Sequence, residues 1–427
     1  MSAQPSRGHE RVVEQGAHQP SRPVGLGFIA VYAGAYFALW MALLTPVIVT
    51  LAIRVQQIEP AGKAGSLSLV LGVGAFFALV SNPFFGKLSD RTASRFGMRR
   101  PWIAAGAMAS TLGLLIIALA QSITGILIGW CLSQTAFNAL LAVVVAVLPD
   151  QVPEEQRGRV SGVLGMCQSA AQVAGTFIAQ QMASSSFWMF MLPAAINLVA
   201  CLALAVTLRD RTIDRSQVPP YSFGEFLRSF WVNPIKYSDF GWAWAGRFLL
   251  SMGLATLLSY QVFYLTDHLG RDPASVPQLI FTSTLVLSAC VVVSSYAGGW
   301  LSDRFRRRKV LVLASAATYS AGLFFVAMAG SFTAFLWAIV IAGVGQGIFF
   351  AVDLALVSAV LPEGGREAAK DMGVFNIANA LPQSIAPAIA PIFLAIGNGN
   401  NYTALFTAAA VFTLLGALCV QPIKGVR

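Results

Sequence analysis

Apolar residues run along this 427-residue chain in long unbroken blocks, with neither the alternation of a half-buried strand nor the single stripe of a surface helix. A block of about 20 such residues is the length at which a helix crosses the hydrocarbon core of a bilayer. The blocks predict twelve helices, over residues 26–53, 66–86, 101–120, 123–148, 159–182, 187–208, 240–265, 277–300, 310–329, 333–361, 371–396 and 402–421. Most polar breaks are short. The exception, Arg209–Asp239, mixes charges with Pro219-Pro220 and reads as a linker, with a short surface helix expected around Phe223–Phe230. The organisation expected is a disordered tail over 1–25, a six-helix bundle over 26–208, the linker 209–239, a second six-helix bundle over 240–421 and a short tail over 422–427. The first tail lacks the apolar core and small-residue cleavage site of a signal peptide, so the first span itself is expected to direct insertion.

Two basic strips punctuate the halves at matching places. Gly86–Pro101, GKLSDRTASRFGMRRP, holds five basic residues and one acid, Asp90; Gly298–Lys309, GGWLSDRFRRRK, repeats its Leu-Ser-Asp-Arg core. Asp90 and Asp303 stand 213 residues apart, and so do Pro149 and Pro362, which close two later apolar runs. One offset at two separate landmarks marks a duplicated unit.

Composition places the protein in lipid. It is 56% hydrophobic and 11% charged, with mean hydropathy +0.70, far too little charge for the water-facing surface of a chain this long. The net charge of +10 raises nucleic acid as a partner, but the basic residues sit in strips between apolar runs, which suits lipid headgroups instead. Of 28 basic residues, 24 fall in one alternate set of connectors and tails. Arg54, Lys63 and Arg271 fall in the other, and Arg247 lies within a span. That asymmetry puts both termini and the linker in the cytoplasm. Cys131, Cys167, Cys201, Cys290 and Cys419 all lie in apolar runs without metal or disulfide spacing, and His9, His18 and His268 lie outside the spans. Covalent catalysis, a P-loop and a metal centre therefore find no support, and no cofactor is expected. The Asn401-Tyr402-Thr403 acceptor pattern lies at a span edge and reads as incidental.

Among 46 charged residues only Arg247 and Asp353 lie well inside spans. A lone charge at mid-membrane costs about 2.5–3.5 kcal/mol on insertion scales, so each calls for a partner or a wet cavity. Arg247 lies about 7 residues from one end of its span and Asp353 about 9 from the end of its own, roughly 10 and 13 Å deep at 1.5 Å per residue. Opposite charges at like depth predict a buried pair, structural or proton-coupling. Neutral polar residues recur at helical spacing: Tyr32, Tyr36 and Trp40; Gln134 and Asn138; Gln168 and Gln172; Tyr260, Gln261 and Tyr264; Asn376, Asn379 and Gln383. They suit either hydrogen bonds between packed helices or the wall of a polar cavity with aromatic platforms. Asp90, at the end of the second span, can take hydrogen bonds from a neighbouring helix N-terminus, while the arginines around it can pair with acids or lipid phosphates.

Gly86-x-Leu88-Ser89-Asp90-Arg91 with Arg99-Arg100 resembles the loop between helices two and three of the major facilitator superfamily, and Gly299–Arg308 resembles its second-half copy. The longer SDRTASRFGMRRPW is similar to the sucrose-transporter and glycoside–pentoside–hexuronide branch, from which Met98 departs by replacing a basic residue. The resemblance implies an all-α membrane fold of two pseudo-symmetric six-helix bundles around a chamber, in a monomer of the inner membrane. It further implies that Gly86, Asp90, Arg91, Arg99, Arg100, Asp303 and Arg304 act as a conformational latch. The function implied is alternating-access transport driven by the proton gradient, with a sugar or glycoside favoured. Proton-driven efflux of a drug or natural product is the alternative, and a non-transporting membrane sensor a remote one.

Overall fold

The computed structural model describes residues 23–210, 212, 236–305, 308–359, 368–397 and 399–423. The tail before Pro23, the expected surface helix in the linker and Pro362 lie outside the described residues. Among those described, there is no strand, and twelve helical rods follow one another along the chain. They are α1 (Leu26–Ile58), α2 (Lys63–Asp90), α3 (Arg100–Leu119), α4 (Ile123–Gln151), α5 (Glu154–Gln181) and α6 (Ser186–Thr207). The second set comprises α7 (Ser238–His268), α8 (Val276–Phe305), α9 (Arg308–Met328), α10 (Phe332–Ala359), α11 (Ala368–Ala380 and Pro382–Leu394) and α12 (Tyr402–Leu418). A helix satisfies its own peptide groups, which is what a segment surrounded by hydrocarbon requires.

Ten of these rods are long and apolar enough to span a membrane by length and composition alone. The other two differ for separate reasons. α5 begins with Glu154 and Glu155 and carries five glutamines, whereas α12 is 17 residues long. Both are held by neighbours, α5 against α1 and α8, and α12 against α7 and α9. Several rods run beyond the predicted apolar blocks; α1 continues to Ile58 and α2 to Asp90, because their last turns carry polar side chains. Ser122, Ser185 and Asn401 accept from the backbone N–H groups of Gly125, Trp188 and Ala404, so Asn401 caps α12.

Proline and glycine shape the rods. Pro46 has no N–H to give, and the helix widens to a π-helical turn over Pro46–Thr50, with Leu51 N–H returning to the Pro46 carbonyl. A Cβ on Gly113 would lie 2.7 Å from Ser133 N, and one on Gly322 would lie 2.5 Å from Ala342 N. These two close approaches, α3 on α4 and α9 on α10, involve residues 209 positions apart in both helices. The offset is four less than at Asp90 and Asp303, because the second strip is that much shorter. Between the two sets of six, α2 packs on α11 and α5 on α8, as a pseudo-two-fold relation demands.

Candidate functional site

A cavity of about 970 Å3 lies between the two sets of helices. α1 supplies Tyr36 and Trp40, α4 supplies Gln134 and Asn138, α5 supplies Gln168, and α11 supplies Asn376, Asn379 and Gln383. Gly86, Lys87 and Asp90 line its mouth, where Lys87 and Asp90 are exposed. Asn82, absent from the sequence-based set, also lines it, just before Pro83 in an otherwise apolar stretch. The interior between Tyr36 and Gln383 thus presents amides and two aromatic rings, with charge only at the mouth. Asn138 Nδ2 donates to the Gln134 carbonyl at 2.9 Å and its Oε1 at 3.1 Å, leaving the Asn138 side-chain oxygen as an acceptor.

Five residues of the predicted polar stripes lie elsewhere, among them Tyr264, buried with its hydroxyl donating to Val326 O at 2.6 Å. Tyr32 is fully buried, its hydroxyl donating to Val144 O at 2.9 Å across α1 and α4. A helix turns 100° per residue, so steps of four drift round the axis. That drift carries Tyr32 into the packing while Tyr36 and Trp40 face the cavity. Gln172 is half-buried and Gln261 is buried, both away from the lining. Tyr260 is buried where the two sets of helices meet, its hydroxyl donating to Pro387 O at 3.3 Å. That contact belongs to a seal at the end opposite Asp90. There Ser68 Oγ donates to Pro387 O at 2.5 Å, and Lys63 Nζ lies 2.5 Å from Asp267 Oδ1.

Arg247 and Asp353 meet. The Arg247 Nη1 group pairs with Asp353 Oδ2, its Nε donates to Asn379 Oδ1 at 2.7 Å, and its guanidinium carbon lies 5.0 Å from the Phe375 ring centroid. Ser251 Oγ donates to the same Asn379 oxygen at 3.2 Å. α7, α10 and α11 are thereby tied by one cation.

The first basic strip is folded into its own half. The Arg99 side chain is buried and its guanidinium spans two acids, Nη2 lying 2.6 Å from Asp90 Oδ1 and Nε 2.8 Å from Asp150 Oδ2; Nη1 donates to Ser89 Oγ at 2.5 Å. The expectation that Asp90 takes hydrogen bonds from a neighbouring helix N-terminus is corrected here. Asp210 occupies that place, its Oδ2 accepting from Arg99 N at 2.6 Å and Arg100 N at 2.8 Å at the start of α3. Asp90 instead ends α2, where among the described residues the Arg99 guanidinium is its partner. Arg100 Nε donates to Leu208 O at 2.8 Å, closing the end of α6, and Lys309 Nζ donates to Gln421 O at 2.8 Å just past α12. Arg100 and Lys309 are again 209 apart, so the repeat carries a cap as well as a charge. Gly97, at φ +100°, lets the strip turn against Asp210. Gly86 faces Ala142, whose Cβ would lie 3.6 Å from an added Cβ. Arg91 begins the turn after α2, its N–H on Leu88 O at 3.2 Å, and Arg304 is exposed in the last turn of α8. The Asp303 side chain lies outside the described residues.

The family model of the Major Facilitator Superfamily matches residues 24–387 and again 264–424. The chain is 27% identical over 170 residues to the uncharacterized MFS-type transporter YttB of Bacillus subtilis (strain 168), covering 40% of each protein. It is 26% identical over 224 residues to the tetracycline resistance protein, class E, of Escherichia coli, covering 52% of this chain and 49% of that one. The chain thus matches half or less of the length of these curated relatives. Among solved structures, the nucleoside transporter NupG superposes with a TM-score of 0.72 at 14% identity, over 93% of this chain and 98% of that one, a likeness of fold. By its family match and its fold, those of membrane transporters and not of enzymes, the chain belongs to the Major Facilitator Superfamily.

Proposed function

We propose that this protein is a secondary active transporter that moves a neutral, hydroxyl-rich solute, a sugar or glycoside, through the cavity between its two bundles. The observation that carries the reading is the lining: amides from both bundles beside Tyr36 and Trp40, with no charged group between them. Amides donate to and accept from hydroxyls at once, and an aromatic face covers the apolar side of a sugar ring. The extended Ser89–Trp102 strip, resembling the glycoside branch, points the same way. With both termini in the cytoplasm, as the basic asymmetry requires, the cavity opens inward and the Lys63–Asp267 face is the outer seal. The proton gradient is the energy source and Asp353 the carboxylate that binds the proton, in a protein that acts as a monomer in the inner membrane.

Similarity to the tetracycline resistance protein over half the chain favours a second reading, extrusion of an amphipathic compound in exchange for protons. The test is flux in proteoliposomes holding the full chain, with radiolabelled sucrose, maltose and lactose compared with tetraphenylphosphonium, with and without a pH gradient. Disaccharide-dependent proton entry is the expected result. Gradient-driven movement of the cation alone decides for extrusion and overturns the sugar reading.

A further inference from the structure

One side chain belongs both to the cavity wall and to the buried ion-pair network. Asn379 lines the cavity, and among the described residues it is the only lining residue hydrogen-bonded to Arg247. Its Oδ1 accepts from Arg247 Nε at 2.7 Å and from Ser251 Oγ at 3.2 Å, which fills both lone pairs of the amide oxygen. The amide orientation is thereby fixed, with NH2 as the free end. That group has no protein acceptor among the described residues, so a solute oxygen is the partner left for it.

We propose that Asn379 is a positioning residue that couples occupancy of the cavity to the Arg247–Asp353 pair, its NH2 meeting an acceptor oxygen of the solute while its oxygen holds Arg247. The inference rests on the transport reading of the cavity. Arg247 cannot follow a displaced Asn379 without changing its hold on Asp353, because one planar guanidinium serves both. The backbone beside Asn379 permits such a displacement. Pro382 brings no N–H to the Ala378 carbonyl, and α11 is interrupted at Leu381. Few other ionisable groups face Asp353 from the packed helices. α8 carries Cys290 and Tyr296, with Asp303 and Arg304 in its last turn, and α9 carries Tyr319, with Arg308 and Lys309 in its first turn, where Lys309 is engaged by Gln421 O.

The test compares two readings on the same proteoliposomes: accumulation of the radiolabelled disaccharides under a pH gradient, and their exchange across the membrane without one. In Asn379→Ala, the lost solute contact is expected to slow exchange about threefold while accumulation falls about thirtyfold or more, the excess being the signature of a lost coupling. A mere substrate contact lowers both by the same factor, and that outcome, or no change in either, overturns the proposal while leaving the transport reading standing. Asn379→Asp with Asp353→Asn keeps one carboxylate on Arg247 and guards against misfolding. It is expected to purify as a monodisperse protein that exchanges but does not accumulate, and accumulation at the wild-type level would overturn the proposal. Wild-type vesicles that neither exchange nor accumulate any of the disaccharides overturn the transport reading, and this inference with it.

Discussion

Lys63, in the first turn of α2, and Asp267, near the end of α7, form an ion pair at 2.5 Å that joins the two bundles at the face opposite the cavity mouth. The carboxylate is fully engaged: Thr266 Oγ1 donates to its Oδ1 at 2.9 Å and Tyr402 OH to its Oδ2 at 2.8 Å, while the Lys63 ammonium also lies 5.0 Å from the Phe263 ring centroid. Both side chains are shielded, with 15% and 16% of their surface exposed, so solvent weakens the attraction only in part.

Loosening this pair opens that face. Asp267→Asn removes the charge that Lys63, Thr266 and Tyr402 share, and a hydrogen-bonded charge contributes about 1.5–3 kcal/mol. The population open at this end is expected to rise roughly tenfold, each factor of ten being about 1.4 kcal/mol. Gln56 lines a cleft of about 560 Å3 at the same face. A cysteine there, in a variant lacking the five native cysteines, reports opening through its rate of reaction with a membrane-impermeant maleimide. An unchanged rate in Asp267→Asn would show that the pair does not hold the face shut.

The Arg247–Asp353 pair makes a prediction with an asymmetry. Removing one partner strands the other charge in a low-dielectric interior at a cost of about 3–5 kcal/mol, whereas removing both costs less. Arg247→Met and Asp353→Asn are each expected to lower the thermal unfolding midpoint of the purified protein more than the two together. A double variant less stable than either single variant would contradict the pairing.

This pair was legible in the sequence because so few charges enter the spans and two of opposite sign lie at like depth. The rods were legible for the same elementary reason, since hydrocarbon leaves no other spanning backbone than a helix or a closed barrel. What was not legible needs three dimensions. Asp210 follows α6, and only the fold brings it to the start of α3, 110 residues earlier. Tyr32 carries the same chemistry as Tyr36, yet helix rotation turns it into the packing against Val144. α5 read as a span through its glycines, alanines and valines, although its amides keep it outside the strictly apolar class.

Asp210 yields its own test. It serves two N–H groups that the first turn of α3 cannot satisfy internally, as a capping side chain does from the position before a helix. Asp210→Ala is expected to cost about 0.5–2 kcal/mol, read as a lower unfolding midpoint. Asp210→Asn, which keeps an acceptor oxygen, is expected to lose less. Equal losses would mean that charge, and not capping, carries the effect.

Arg99 separates the two acids it bridges. Asp90 is 57% exposed on its side chain and Asp150 only 23%, so solvent can compensate a change at Asp90 far better than one at Asp150. In Asp90→Asn the Arg99 guanidinium keeps Asp150 and Ser89, and the unfolding midpoint is expected to stay near that of the wild type. Asp150→Asn leaves the buried cation with Ser89 and a solvent-facing carboxylate and is expected to destabilise more, by about 1.5–3 kcal/mol for a hydrogen-bonded charge. Arg99→Lys is expected to resemble Asp150→Asn, since a single ammonium cannot reproduce a planar fork that meets two carboxylates and a hydroxyl from separate nitrogens. Transport separates stability from gating. If the strip acts as a latch, Asp90→Asn slows or unbalances flux while leaving the midpoint unchanged. Flux and midpoint both at wild-type levels would reduce Asp90 to a topology-setting charge.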